Sequence, residues 1–121
     1  MNDLSTVVNE LTMRKMRGLF ATGVAAVTTA LEGRLRGVTV SAFIPVSLAP
    51  PLVMVALAQD TAACEAITQA GILAVNILSE EHEFLSQRFA ARAPLVNEEF
   101  EGVPYRVAVT GSPILEGALA W

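Results

Sequence analysis

The sequence predicts a mainly β protein with a few helices. Two observations favour strands: β-branched and apolar residues recur in short runs, and glycines or prolines separate these runs. A third observation, apolar residues at helical spacing in three other stretches, predicts the helices. The predicted strands cover residues 24–31, 35–43, 52–58, 72–78, 105–110 and 114–121.

The chain has the length of one domain. Its 121 residues can enclose a single core but not two, so residues 1–121 are interpreted as one domain. Hydrophobic residues make up 53% of the chain and charged residues 17%, which is more apolar than a small solvated monomer requires. Some of this apolar surface is therefore expected to lie in a subunit interface.

Charge and cysteine content argue against several classes of function. A net charge of -4, spread along the chain, argues against a nucleic-acid partner, which would need a basic patch. No apolar run approaches the roughly 20 residues of a membrane span, and the N-terminus lacks a signal-peptide pattern. Cys64 is the only cysteine and no Cys/His cluster accompanies it. These features predict a cytoplasmic protein without membrane, nucleic-acid or metal contacts.

An amphipathic helix is predicted over about 3–17. Asp3 and Ser5 are good N-cap residues for its start. The apolar residues that recur there at helical spacing are Leu4, Val7, Val8 and Leu11.

The first two strands are predicted to form a hairpin, because Glu32-Gly33-Arg34 makes a short turn between 24–31 and 35–43. Thr39 and Ser41 would then point to the same face of the second strand. Hydroxyl groups there can hydrogen-bond the oxygens of a phosphate or a sugar-alcohol chain. The same alternation also fits a half-exposed strand whose hydroxyls face water, and the pattern does not choose between the two.

Prolines bound the next segment. Pro45 has no N–H to donate and is predicted to break the ladder, and Pro50-Pro51 precede the strand 52–58. Ser47 and Leu48 are predicted to be irregular backbone with free N–H groups. Such backbone can donate to the edge of a flat ring, and it is equally typical of a plain sheet corner.

The second helix is predicted to begin after Asp60 or Thr61, both N-cap types, and to end at Gly71. Its uncovered N–H groups and positive dipole end could receive a phosphate. Cys64 in this helix is interpreted as a small buried hydrophobe without a catalytic role. The narrow apolar stripe of the helix consists of Ala63, Ala66, Ile67 and Ala70.

A fourth strand and a third helix follow. Asn76 interrupts the strand 72–78, and its amide needs a partner if it is buried. Ser79 is the predicted N-cap of the helix, and Arg88 lies on the side of its apolar face. The guanidinium either extends to solvent or binds an anion such as phosphate. His82, the only histidine, is predicted to lie at the surface. The apolar face of the helix consists of Phe84, Leu85 and Phe89.

The segment 91–103 combines proline, glycine and several glutamates, so it is predicted to be a mobile loop that could cover a cleft. The strand 105–110, a turn at 111–113 and the strand 114–121 come after it. The chain stops at Trp121, in what the pattern predicts to be mid-strand.

Five segments of the chain carry a further signal: FATGVAAVTT at 20–29, GVTVSAF at 37–43, VSLAPPLV at 46–53, AVNILSEE at 74–81 and RFA at 88–90. In this order they resemble the short-chain flavin reductase family. The resemblance runs from about Met16 to Trp121, and five ordered segments are far more specific than a single motif. Members of this family supply reduced FMN or FAD to partner monooxygenases and adopt an FMN-binding split β-barrel.

The resemblance implies an antiparallel Greek-key split barrel, paired as a homodimer with the flavin near the interface. It also implies an NAD(P)H:flavin oxidoreductase, in which NADH or NADPH passes a hydride to the flavin N5. No catalytic acid or nucleophile is expected, because the flavin carries the chemistry. The cofactor-binding residues that the resemblance implies are Thr39, Val40, Ser41 and Ala42 along the ribityl chain and ring edge, Ser47 and Leu48 against the flavin, and Arg88 with Asp60 and Thr61 at the helix start for the phosphate.

In the family the chain continues beyond the segment that resembles 113–121, into the last barrel strands and a Gly-Asp-His motif associated with the nicotinamide site. That motif is absent here, so the barrel is expected to be incomplete at its C-terminus. Two alternatives stay open. One is a flavin-binding or electron-transfer module without reductase activity, and the other is a purely structural β-domain.

Overall fold

The computed structural model describes residues 8–19, 22–90 and 99–121. They form a mixed β fold with helices, as the sequence predicts. In chain order the elements are α1 (Glu10–Leu19), β1 (Ala25–Leu31), β2 (Arg34–Val40), β3 (Phe43–Ser47), β4 (Leu52–Val55), α2 (Ala62–Ala70), β5 (Ala74–Ile77), a 3-10 turn (Glu80–His82), α3 (Glu83–Phe89), β6 (Tyr105–Val107) and β7 (Pro113–Leu115). No helix in these ranges is long and apolar enough to cross a membrane.

A three-stranded antiparallel sheet with the order β2-β1-β5 lies at the centre of the described structure. β1 is its middle strand, and the first five residues of β1 are buried. The predicted hairpin of β1 and β2 is confirmed. Glu32 and Gly33 form its turn with φ values of 52° and 79°, a left-handed conformation that glycine adopts at little cost.

Apolar side chains cover both faces of this sheet. The face toward α2 and β4 is built on Ala25, Val27 and Val40, with Val55 and Ile67 packed against them. The face toward α3 and β7 is built on Ala26, Phe89, Phe100, Val103 and Leu115. Successive residues of β1 therefore contribute to opposite faces, and α2 and α3 lie on opposite sides of the sheet.

A buried amide connects three strands. Asn76 of β5 is fully buried; its Nδ2 donates to the Ala26 carbonyl at 3.1 Å, and its Oδ1 accepts the Leu115 N–H at 2.8 Å. The expectation that this amide needs a partner is confirmed. Because Asn76 bonds to β1 and β7, it fixes the position of β7 on the central sheet.

The predicted boundaries of the second helix are confirmed. The Thr61 hydroxyl accepts the Cys64 N–H at 3.2 Å, which caps the start of α2. Gly71 ends the helix with φ 68° and donates its N–H to the Ile67 carbonyl at 2.9 Å.

The predicted start of the first helix is wrong at residues 8 and 9, because α1 begins at Glu10. Asn9 and Thr12 cap it reciprocally: each backbone N–H donates to the other residue's side-chain oxygen at 3.0 Å. The helix then runs to Leu19 rather than ending near residue 17. The proposed caps Asp3 and Ser5 lie outside the described residues.

The second strand ends earlier than predicted. β2 stops at Val40, Ser41 forms a bend, and a new strand begins at Phe43. Pro45 does not break the ladder, since it lies within β3 opposite Val53, next to a register shift. β3 and β4 form a two-stranded sheet in the described structure, so one edge of β3 is unpaired there and tolerates a residue without an N–H.

Three predictions for the second half of the chain are corrected. β6 ends at residue 107 and β7 at residue 115, so both are shorter than predicted; a turn at Gly117, with φ 80°, ends the second run. The chain returns to the central sheet through a single bridge between Ile77 and Ala120. Residues 91–98 of the predicted mobile loop lie outside the described residues. Phe100 and Val103 in the same predicted loop are buried in the core instead, because their apolar side chains pack beside α3.

His82 is buried rather than exposed, with 6% of its surface accessible. Its Nδ1 accepts the Ser79 N–H at 3.1 Å, and its Nε2 lies 2.8 Å from the Glu116 carbonyl oxygen. Since a carbonyl oxygen can only accept, Nε2 is the donor in the contact with Glu116. The 3-10 turn before α3 directs the ring inward, which the glutamate-rich sequence around it does not indicate.

The described strands form three separate sheets: β2-β1-β5, β3-β4 and β6-β7. All observed pairings are antiparallel, as expected. These residues do not form a closed barrel, so the structure confirms the mixed β class and not the finer barrel architecture.

Candidate functional site

The hydroxyl pair of the second strand does not share one face, because Ser41 lies beyond the strand end. Thr39 faces α3 and donates its hydroxyl to the Ser86 carbonyl at 2.7 Å. Ser41 is exposed in the bend that follows β2. One hydroxyl therefore connects β2 to α3, while the other is free to face solvent or a ligand.

The two apolar residues of this stretch, Val40 and Ala42, also differ in burial. Val40 is buried at 6% exposure in the face toward α2. Ala42 is exposed, and its carbonyl accepts the Ala56 N–H at 3.0 Å, which connects the end of β2 to the end of β4. The side chain of Val40 is therefore not accessible to a ligand, whereas Ala42 is exposed.

Ser47 is the last residue of β3 and not irregular backbone, whereas Leu48 lies in the turn before β4. Leu48 is 94% exposed. A leucine held in this position leaves apolar area in water, so the tip of this hairpin is suited to contact a ligand or another chain.

An apolar groove of about 530 Å³ lies beside the β3-β4 hairpin. Its walls combine residues of the hairpin, the β5 region and the C-terminal segment, among them Phe43, Val53, Leu73, Val109 and Trp121. None of the predicted cofactor-binding residues lines it. The groove is therefore a feature that the sequence did not indicate.

The start of α2, a predicted phosphate contact, already uses some of its hydrogen-bonding groups within the chain. Thr61 uses its hydroxyl twice, as acceptor for the Cys64 N–H and as donor to the Ala58 carbonyl at 2.8 Å. Asp60 is exposed in the preceding turn. The remaining N–H groups of the first helical turn could meet an anion, although the Asp60 carboxylate beside them would repel it.

Arg88 lies on α3 and contacts the segment that follows residue 98. Its Nη1 donates to the Glu101 carbonyl at 2.6 Å and to the Glu99 carbonyl at 3.4 Å, and its guanidinium lies 4.8 Å from the centre of the Phe84 ring. The Nε atom is buried and has no hydrogen-bond partner among the described residues. A guanidinium whose charge faces only neutral carbonyls and an aromatic ring suits a phosphate as its counter-ion.

The structure places the two predicted phosphate contacts on opposite faces of the sheet, since Arg88 belongs to α3 and Thr61 to α2. The outer edge of β2 connects the two regions. Arg36 on this edge lines a cleft together with Ala62 of α2 and pairs with the Glu99 carboxylate at 2.9 Å. None of the hydrogen bonds among the described residues joins Arg88 to the start of α2, so the two predicted phosphate contacts are separate in this structure.

Sequence reasoning missed the pair of Arg36 and Glu99. The two residues are 63 positions apart, and neither belongs to a recognisable motif. The only local signal was Phe100, a single aromatic residue within a run of glutamates, which is typical of a segment that packs onto a core.

By its fold, the described part of the chain is a mixed β domain with helices on both sides of its central sheet. A family model described as flavin reductase like domain matches residues 16–121. The chain belongs to this flavin reductase-like family.

Relatives of known sequence and structure agree with this assignment. The reductase subunit HsaB of a flavin-dependent monooxygenase from Mycobacterium tuberculosis is 33% identical over 118 residues, which are 98% of this chain and 62% of the relative. The crystal structure of a nitrilotriacetate monooxygenase component B homolog from Mycobacterium thermoresistibile superimposes with a TM-score of 0.83 at 37% identity, covering 91% of this chain and 60% of that one.

A third relative was crystallised with ligand fragments. It is an NADH:FAD oxidoreductase from Streptomyces globisporus in complex with NAD and FAD fragments, with a TM-score of 0.77 at 28% identity, covering 92% of this chain and 66% of that one. The chain thus spans about 62% of the length of the first curated relative.

Proposed function

We propose that this chain binds FMN or FAD and takes part in NAD(P)H:flavin oxidoreduction, delivering reduced flavin to a partner monooxygenase. The observation that carries the proposal is the family match over residues 16–121. The reductase subunit, the monooxygenase component and the NADH:FAD oxidoreductase among its relatives support the same reaction class. The proposed setting is the cytoplasm, where nicotinamide nucleotides are available to the enzyme.

The residues fit a flavin nucleotide in their chemistry. Ser41 offers an exposed hydroxyl, Leu48 offers exposed apolar area, and Arg88 offers a positive charge without an ion pair in the described part of the chain. Hydroxyls suit the ribityl chain, a leucine suits the face of a flat ring, and a guanidinium suits the phosphate. We assign these three contacts, with backbone groups of residues 39–42 and 47 and the start of α2, to cofactor binding.

When bound, the flavin supplies the redox chemistry by accepting a hydride at N5 from NADH or NADPH. The tasks of the chain are to hold the cofactor, orient its ring and exclude water. No side chain is assigned a catalytic proton transfer. Thr39 contributes by bonding β2 to α3, which keeps the residues around Ser41 in register with Arg88.

We further propose a split β-barrel that is paired as a homodimer. Exposed apolar residues on the β3-β4 hairpin support this assembly: Ile44, Val46, Leu52, Val53 and Met54 are each half exposed. Both faces of a two-stranded hairpin rarely stay in water, so a second chain is expected to cover part of this surface.

The proposal is tested by adding FMN or FAD to the purified chain and following NADH or NADPH oxidation at 340 nm. Flavin-dependent oxidation supports the proposed reductase. Saturable flavin binding without nucleotide oxidation would instead identify a flavin-binding or electron-transfer module. A folded chain that binds neither flavin would contradict the proposal and favour a structural β-domain.

A further inference from the structure

The Glu99 carboxylate binds the outer edge of the central sheet. Its Oε2 accepts the Gly37 N–H at 2.8 Å, and its Oε1 accepts Arg36 Nη1 at 2.9 Å. β2 is an edge strand of the described sheet, so the N–H groups on its outer side have no strand partner there. Glu99 therefore fastens its own segment to β2 through both carboxylate oxygens.

The backbone of the same segment holds Arg88. Carbonyl oxygens of Glu99 and Glu101 accept from Arg88 Nη1, at 3.4 and 2.6 Å. The intervening Phe100 packs on Phe89, with ring centroids 5.1 Å apart, and this contact holds the segment against α3. The direction of the guanidinium consequently depends on where Glu99 places these two carbonyls.

Of the two arginines Arg36 and Arg88, only Arg36 has an acidic partner among the described residues. Glu99 neutralises Arg36, and both side chains are only partly exposed, at 32% and 22%. Within the described residues Arg88 makes no ion pair, and its positive charge faces neutral carbonyls and the Phe84 ring. This arrangement leaves the Arg88 charge available to an anion.

We infer that Glu99 is a positioning residue for the anion site at Arg88. It acts through the segment that it fastens to β2, without touching the anion itself. The inference rests on the proposed function, because it takes the anion to be the phosphate of a flavin nucleotide.

Simple electrostatics predicts the opposite effect of removing Glu99. Loss of the negatively charged Glu99 carboxylate reduces its repulsion of a bound phosphate and would tighten the binding of that phosphate. A positioning role predicts weaker binding, because the carbonyls that orient Arg88 lose their connection to β2. Whether FMN binding tightens or weakens on removal of Glu99 therefore distinguishes the electrostatic effect from the positioning role.

The binding experiment compares Glu99→Ala and Glu99→Gln with the unaltered chain, using FMN and riboflavin. Glu99→Ala is expected to weaken FMN about fivefold and riboflavin less than about twofold, because coupling within a hydrogen-bond network is of this size. Glu99→Gln keeps one acceptor oxygen, so its FMN affinity should lie between those of Glu99→Ala and the unaltered chain. The control Glu81→Gln removes one exposed negative charge and should change neither affinity.

A second measurement needs no ligand. Exchange of the Arg88 Nε–H with solvent, followed by NMR in the free protein, should accelerate about tenfold in Glu99→Ala and stay unchanged in Glu81→Gln. Unchanged exchange in folded Glu99→Ala, or tighter FMN binding, overturns the inference. Failure of the unaltered chain to bind either FMN or FAD overturns the proposed function, and the exchange rates still decide whether Glu99 positions Arg88.

Discussion

At the scale of single residues, Arg88 makes the most specific contact proposed for the cofactor. FMN has a phosphate for this charged donor and riboflavin has none, so Arg88→Ala should weaken FMN about tenfold or more and leave riboflavin nearly unchanged. Flavin fluorescence quenching measures both affinities. Arg14→Ala, which removes an exposed arginine of α1, serves as the control. Equal losses for the two ligands would show that Arg88 is structural.

The hydroxyls of Thr39 and Ser41 have different partners in the structure, so their substitutions should have different effects. Thr39→Val removes the bond to the Ser86 carbonyl and should cost about 1 kcal/mol of unfolding free energy, whereas Ser41→Val should cost little. The double variant should weaken flavin binding about tenfold at a temperature where it is folded. Thr68→Val on α2 is the control. Unchanged flavin affinity in the folded double variant would remove both residues from the site.

Asn76 connects three strands and is expected to matter for stability rather than for binding. Asn76→Leu has a similar volume but leaves the buried Leu115 N–H without its acceptor, so the loss should be about 1–3 kcal/mol. Urea unfolding of this variant and of Gln69→Leu, an exposed amide on α2, provides the comparison. Equal stability of the two variants would contradict the assigned role.

At the scale of secondary structure, α3 packs closely on β2 at a glycine. A Cβ at Gly37 would lie 3.0 Å from two ring atoms of Phe89, and this ring also contacts Phe100 in the core. Gly37→Ala should therefore displace α3 and lower stability by about 1–3 kcal/mol. Gly23→Ala, where nothing lies within 4 Å of the added atom, is the matched control for thermal unfolding. Equal unfolding midpoints for Gly37→Ala and Gly23→Ala would mean that α3 accommodates the added methyl group without loss of stability.

For some secondary-structure elements, the residues close to each boundary are sufficient to predict where the element begins and ends. The β1-β2 hairpin and both ends of α2 follow from residues within a few positions of each boundary, and the structure has them as predicted. Pro45 is different, because a proline fits within β3 only where one edge of that strand has no partner. The end of β2 at Val40 likewise depends on the separate pairing of β3 with β4.

At the scale of the whole molecule, the exposed apolar hairpin predicts self-association. The chain should sediment as a homodimer at micromolar concentration, and its unfolding midpoint should fall on dilution, because dissociation exposes this surface. Met54→Glu places a charge on the hairpin and should shift the equilibrium toward monomer, whereas Gln69→Glu on α2 should not. A stable monomer whose unfolding midpoint is independent of concentration would exclude the dimer.

The mixed β class, the hairpin, the caps of α2, the need of Asn76 for a partner and the resemblance to flavin reductases could be predicted from the sequence. These features depend on neighbouring residues or on contiguous sequence motifs. The burial of His82, the end of β2 and the contact of Glu99 with Arg36 became known only from the folded chain. Each of these depends on groups that are distant in sequence: His82 bonds to the Glu116 carbonyl, and Glu99 lies 63 positions from Arg36. Local composition around Glu99 and His82 indicates solvent, and only the packing of a remote segment beside them supplies the partners that hold them in place.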